Sequence, residues 1–187
     1  MITKRNRAYA EEIIPLQAVR PLCVDLDGTL VKSDTLVDSL LILVRTHPLE
    51  ALKVPLWILD GKASLKARVG SMVSLDVDTL PYNRTLLNYL REQRAEGREI
   101  YLTTGADCKV AMRVAVHLGI FTGVLASDGS TNLTGSDKLA SLEHRFEAGF
   151  DYIGNGRPDL PLLAAPGEPM LANPNSSTNA PLRGASR

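Results

Sequence analysis

Apolar residues in this chain come in two rhythms, short unbroken runs and longer stretches with a helical period of about 3.6, and the two alternate. Residues 21–26 (PLCVDL) form a run that stops at Asp27-Gly28, the pattern of a buried strand ending in a tight turn. From Thr35 to about Met72 aliphatic residues recur at helical spacing with breaks at Pro48 and Gly61, which predicts two or three short helices. Asn83 can cap a helix whose apolar face is Leu86, Leu87 and Leu90, with Gly97 as its stop. A strand is predicted over 99–103. Asp107 then caps a helix that turns Val110, Val114 and Leu118 inward and ends at Gly119. Further on, the pattern predicts strand 124–126, helix 136–147, strand 151–154, a short helix near 159–165 and a last strand near Met170. After Ala172 all periodicity is lost, the mark of a disordered tail or linker.

Strands separated by helices predict an α/β fold with a parallel sheet and right-handed crossovers. The helical stretch after the first strand is a candidate lid. A chain of 187 residues, 44% hydrophobic and 22% charged, is long enough for one proper core and a small insertion. Lysine plus arginine (21) balance aspartate plus glutamate (21), so no global field recruits nucleic acid. Cys23 and Cys108 both sit among apolar residues and read as small buried hydrophobes in a reducing compartment. The N-terminus lacks the apolar stretch of a secretory signal, and Leu36 to Leu59 is interrupted by Asp38, Arg45, His47, Glu50 and Lys53. A cytoplasmic protein is expected.

In such sheets ligands bind at the carboxyl ends of the strands, so the residues after each apolar run carry the interest. Asp25-Leu26-Asp27-Gly28-Thr29 places two carboxylates two apart at the first strand's end, a costly pairing unless a cation or reacting group compensates; an ordinary Asp-Gly turn is the plainer reading. Thr103-Thr104-Gly105 follows the second strand, where a hydroxyl and backbone N–H groups can hold a phosphoryl oxygen, though threonine there also fits simple strand propensity. Lys138 falls near the first turn of a helix, where a cation opposes the dipole; it either serves an anion or is a solvated surface lysine. Gly154-Asn155-Gly156-Arg157-Pro158-Asp159 could complete a hard-cation site. His117, His144 and Trp57 lack ligand spacing and read as surface or packing residues, and Arg157 as a solvated loop residue or a phosphate contact.

The set DLDGT at 25–29, Thr104, Lys138 and GNGRPD at 154–159 resembles the haloacid dehalogenase superfamily, over roughly residues 21–172. The resemblance implies a three-layer Rossmann-like core over 21–34 and 81–172 and a small helical cap over 35–80 inserted after the first strand. Residues 1–20 would be an N-terminal extension and 173–187 a tail or linker. It also implies a Mg²⁺-dependent phosphomonoester hydrolase acting on a small phosphorylated metabolite. Asp25 would be the nucleophile that forms an aspartyl-phosphate, Asp27 the general acid and base, and Thr104 and Lys138 the phosphoryl-oxygen contacts. Asp25, Asp27, Asn155 and Asp159 would hold the metal. Asn155 departs from the family pattern, which has an acid there, and so offers one negative charge less.

LPYN at 80–83, LASDG at 125–129, NLTGSDK at 132–138 and YIGN with DLP at 152–161 are similar to the soluble domain that precedes some ubiquinone-type aromatic prenyltransferases of the UbiA family. That likeness implies a membrane prenyltransferase as a partner, in the same chain or separately, and a place at the inner face of the membrane. A phosphomutase and a weakly active or inactive accessory domain remain the alternative readings.

Overall fold

The computed structural model describes residues 19–128, 130–156, 159–163 and 169–171. The expectations for the first eighteen residues, for Arg157 and for 173–187 lie outside them. The order is β1 (Leu22–Val24), α1 (Thr35–Thr46), α2 (Pro48–Ala51), α3 (Val54–Leu59), α4 (Lys62–Met72), a 3-10 turn (Val77–Thr79) and α5 (Arg84–Ala95). Then come β2 (Ile100–Asp107), α6 (Cys108–Leu118), β3 (Gly123–Ser127), α7 (Gly135–Arg145), β4 (Asp151–Gly154), α8 (Leu160–Leu163) and β5 (Pro169–Leu171).

The five strands form one sheet in the order β3-β2-β1-β4-β5, and every pairing is parallel. β1 lies at its centre, with Cys23 opposite Tyr101 of β2 on one side and Tyr152 of β4 on the other. Leu22, Cys23 and Val24 are completely buried, as a strand covered on both faces requires. Their alternation assigns the two faces: Leu22 and Val24 pack with Leu86, Leu90, Val110 and Val114 of α5 and α6, while Cys23 packs with Leu142 of α7 and Leu162 of α8. Helices on both faces of a parallel sheet give the three-layer Rossmann-like architecture. The chain builds β1, β2 and β3 outward in one direction and then crosses back to place β4 on the other side of β1. The sheet's switch point is therefore at β1, where a crevice opens at the strands' carboxyl ends.

Helices α1 to α4 form a small cap with its own cluster of Leu43, Trp57, Leu65, Val69 and Val73. Four pieces replace the expected two or three because Pro55 adds a break to those at Pro48 and Gly61; a proline has no N–H and is tolerated only in a first turn, so α3 starts at Val54. The caps at Asn83 and Asp107 hold, with Asn83 accepting from Leu86 N at 3.3 Å and Asp107 from Lys109 N at 3.0 Å. Two expectations need correction. β2 runs four residues beyond 103, since main-chain pairing with β3 continues through an irregularity to Asp107 opposite Ser127, which puts Thr104 inside the strand. Cys108 is exposed, because it occupies the first turn of α6 away from that helix's buried face; only Cys23 is buried.

Candidate active site

Asp25, the residue after β1, is 7% exposed, and its partners come from three directions. Its Oδ1 accepts from Lys138 Nζ at 2.9 Å and its Oδ2 from Thr29 Oγ1 at 3.0 Å. The tight turn at Gly28, with φ of 72°, folds Thr29 back to make that second bond. Lys138 sits in the first turn of α7 yet is only 3% exposed, which settles it as a buried cation facing carboxylates. Besides Asp25 it reaches Asp159 Oδ1 at 3.3 Å and Tyr152 Oη at 3.0 Å. Burying a lysine without such partners would cost several kcal/mol, on the order of the desolvation penalty of one ion.

Burial and pairing pull Asp25 in opposite directions. Desolvation raises its pKa, the Lys138 charge lowers it, the Asp159 charge raises it, and burial prevails, so the carboxyl stands at about 6. Lys138 is itself held above the ordinary lysine value, because Asp25 and Asp159 together outweigh its desolvation. Asp27 is turned away from Lys138 and accepts from Thr35 N, the start of α1, at 2.8 Å. Burial raises its pKa as well, the main-chain bond from Thr35 opposing. One carboxylate is thus fixed to the core and its neighbour to the cap.

The fourth loop closes the group. Asp159 is 4% exposed, and its Oδ1 accepts from Tyr152 Oη at 2.8 Å as well as from Lys138. Its Oδ2 accepts from Asn155 N and Gly156 N, each at 3.3 Å. Gly154 makes this possible: a Cβ there would lie 2.7 Å from both Asp159 Oδ2 and Tyr152 Cε1. Asn155 donates from its side-chain amide to the Gly28 carbonyl, tying the fourth loop to the first turn. Thr104 is fully buried, its Oγ1 accepting from Ala106 N at 3.0 Å, which leaves the hydroxyl proton to offer.

Asp25, Asp27, Thr104, Lys138, Asn155 and Asp159 all line one cavity of about 630 Å³. Its opposite wall is the cap, through Leu36, Ile58, Lys62, Leu65 and Lys66. Two groups were not singled out from the sequence. Tyr152 read only as a strand residue, although a tyrosine buried on both sides of a strand needs a partner for its hydroxyl. Lys66 bonds the Gly105 carbonyl at 2.5 Å and Asn132 Oδ1 at 3.2 Å, fastening α4 to the end of β2. Burial lowers its pKa, with Asp27 and Asp34 opposing. Its signal was the polar stripe Lys62-Lys66-Gly70 at i, i+4, i+8 on a helix whose other face is Leu65 and Val69. Gly70 shares the docking, since a Cβ there would meet Asp107 Oδ1 at 2.9 Å.

The donor set is all oxygen, which suits a hard cation such as Mg²⁺, but it is sparse. Asp159, expected as a ligand, already accepts four bonds on its two oxygens. Asp25 keeps lone pairs to spare, and Asn155 brings a neutral amide oxygen to the lining of the same cavity. Among the described residues no three His, Cys, Asp or Glu side chains group to hold a metal. The residues fit a Mg²⁺ that keeps several waters and takes its charge balance from Asp25 and a bound phosphate.

No family model matches the chain. The uncharacterized protein y4nM of Sinorhizobium fredii is 35% identical over 99% of this chain, which spans only 36% of that relative's length. Among solved structures, a protein of unknown function from Bordetella pertussis Tohama I superposes with a TM-score of 0.67 at 20% identity, covering 89% of this chain and 96% of its own. A substrate-bound phosphoserine phosphatase gives 0.61 at 14% identity over 86% and 89%. A HAD family hydrolase of Salmonella enterica serovar Typhi gives 0.54 at 15% identity over 79% and 60%. The fold is thus that of haloacid dehalogenase-type hydrolases, phosphoserine phosphatases among them.

Proposed function

We propose that the chain is a Mg²⁺-dependent phosphomonoester hydrolase in which Asp25 is the nucleophile. The observation that carries the reading is the buried Lys138–Asp25 pair at the foot of the cavity, at the sheet's switch point. A lysine that stays charged at 3% exposure holds the carboxylate in one orientation and supplies a cation for a phosphoryl oxygen.

An Asp25 oxygen attacks phosphorus, and the bond from phosphorus to the leaving oxygen breaks while Asp27 gives that oxygen a proton. The raised pKa of Asp27 suits a group that must hold a proton before giving it. Asp27 then takes a proton from a water that attacks the aspartyl-phosphate, releasing inorganic phosphate and restoring Asp25. Thr104 donates to an equatorial oxygen beside Lys138. Asp25, the Asp27 carbonyl and Asn155 Oδ1 would hold Mg²⁺, which cancels the repulsion between a carboxylate and a phosphate dianion.

Release of inorganic phosphate from a panel of phosphorylated metabolites with Mg²⁺ tests this. Asp25→Asn should abolish the release with the fold intact; turnover above a few per cent of wild type would rule out the aspartyl-phosphate route. A second reading has its own support: the curated relative is nearly three times as long as the matched region. That length suits a domain serving a larger protein, such as the prenyltransferase that the second resemblance implies. A chain inactive on the whole panel but still binding a phosphate mimic would favour it.

A further inference from the structure

The cap is apolar on two sides and covered on one. α1 turns Leu43 into the cap's own cluster, yet Val37, Leu41 and Val44 on the same helix are 50%, 61% and 56% exposed. The apolar side of α1 is thus wider than the cap's own cluster covers, and Val37, Leu41 and Val44 are left open among the described residues. Leu49 and Leu52 are each 77% exposed. α3 buries Trp57 while Leu56, Ile58 and Leu59 stand 64%, 56% and 82% open. Among the described residues, nine of the twelve large exposed apolar side chains fall between Val37 and Met72, a clustering that marks an interaction surface.

Charge and composition decide what covers it. From Val37 to Met72 five lysines and arginines stand against three acids, a net of +2. The whole chain balances 21 against 21, so everything outside that segment is net −2. Lys53 and Arg68 pair with Glu50 and Asp60, while Arg45 and Lys62 form no ion pair among the described residues. A second copy docking cap to cap would oppose +2 to +2, a like-charge pairing that interfaces avoid. Protein interfaces also draw on aromatic anchors, and here the exposed residues are aliphatic and the tryptophan is inside. Aliphatic surface with flanking cations is the composition that settles at an anionic bilayer interface.

We propose that the cap docks on an anionic lipid surface, its leucines and valines at the acyl boundary and Arg45 and Lys62 among the headgroup phosphates. Ile58 and Lys62 also line the cavity, so docking sets the cavity's cap wall at headgroup level. The substrate class this favours is a phosphomonoester carried on a lipid, a step that rests on the hydrolase reading; the docking does not.

The test uses the full chain with phosphatidylcholine vesicles, with and without phosphatidylserine. Co-sedimentation is expected only with phosphatidylserine and should weaken as salt is added. Leu41→Ser with Leu56→Ser and Leu59→Ser should weaken it about tenfold or more, and Arg45→Glu with Lys62→Glu should remove the lipid preference. These side chains are exposed, so circular dichroism should be unchanged. The unsubstituted chain gives a second readout through Trp57, its single tryptophan, which sits between Leu56 and Ile58. Vesicles with brominated acyl chains should quench its fluorescence. Absence of both sedimentation and quenching would overturn the docking, and binding untouched by the leucine changes would place the contact elsewhere. A dimer that those changes dissolve, with no lipid binding, would assign the surface to a second copy. None of these readouts needs turnover, so a failed hydrolase assay leaves them standing.

Discussion

Asp25 is a residue where opposing effects meet, and its pKa shift has a sign that experiment can check. Its carboxyl is raised from the ordinary 3.8 to about 6, so between those values the native chain holds a proton that the unfolded chain has lost. Stability therefore falls as pH rises from about 4 to about 6 and the penalty stays constant above, by roughly 2–3 kcal/mol in all. In metal-free buffer Asp25→Asn should remove that fall from the melting temperature; parallel curves for both proteins would refute the burial argument. Tyr152→Phe deletes a hydroxyl that both donates to Asp159 and accepts from Lys138. It should cost about 1–3 kcal/mol, read as a lower urea midpoint at unchanged slope. Asn155→Asp sets a carboxylate against the Gly28 carbonyl that the amide now satisfies. Without metal the variant should melt lower, and Mg²⁺ should bind about tenfold tighter than in wild type. An unchanged Mg²⁺ affinity, by calorimetric titration, would remove Asn155 from the metal site.

At the scale of elements, the cap and the core are packed on different clusters and are joined by few side chains. Lys66 and Gly70 dock α4 on the end of β2, and Asp27 bonds the first turn of α1. The cap's cluster depends on Trp57, which is 5% exposed. Trp57→Ala should cost about 3–5 kcal/mol by cavity formation, with the loss confined to the cap. Hydrogen exchange should quicken across 35–72 and stay slow in β1, β2 and β4. Uniform loss of protection would mean that cap and core fold as one cooperative unit.

For the whole molecule, the expectation concerns phosphate mimics. Beryllium fluoride binds only a native site, so with Mg²⁺ present it should raise the melting temperature of the wild type and leave Asp25→Asn unmoved. Equal protection of both would place the anion away from Asp25. No described helix is long and apolar enough to cross a membrane.

The hydrophobic pattern alone determined the order of strands and helices, because burial on both faces of a parallel sheet leaves continuous apolar runs and helices leave their own period. It also pointed to the residues that line the cavity, since Asp25 and Asn155 directly follow β1 and β4, where such sheets open, and Thr104 and Lys138 line the same cavity. Periodicity could not reveal how long β2 is, for that depends on pairing with β3, a contact between segments far apart in sequence. Nor could it assign the acids their tasks. Asp25 and Asp27 are two residues apart, yet one faces Lys138, 113 positions away, and the other faces the start of the cap. Nor did the sequence show that the fold brings Tyr152, Lys138 and two loop amides onto the two oxygens of Asp159. Local sequence sets what each residue can bond; only the tertiary structure decides which partners reach it, because those partners come from strands and loops that meet nowhere along the chain.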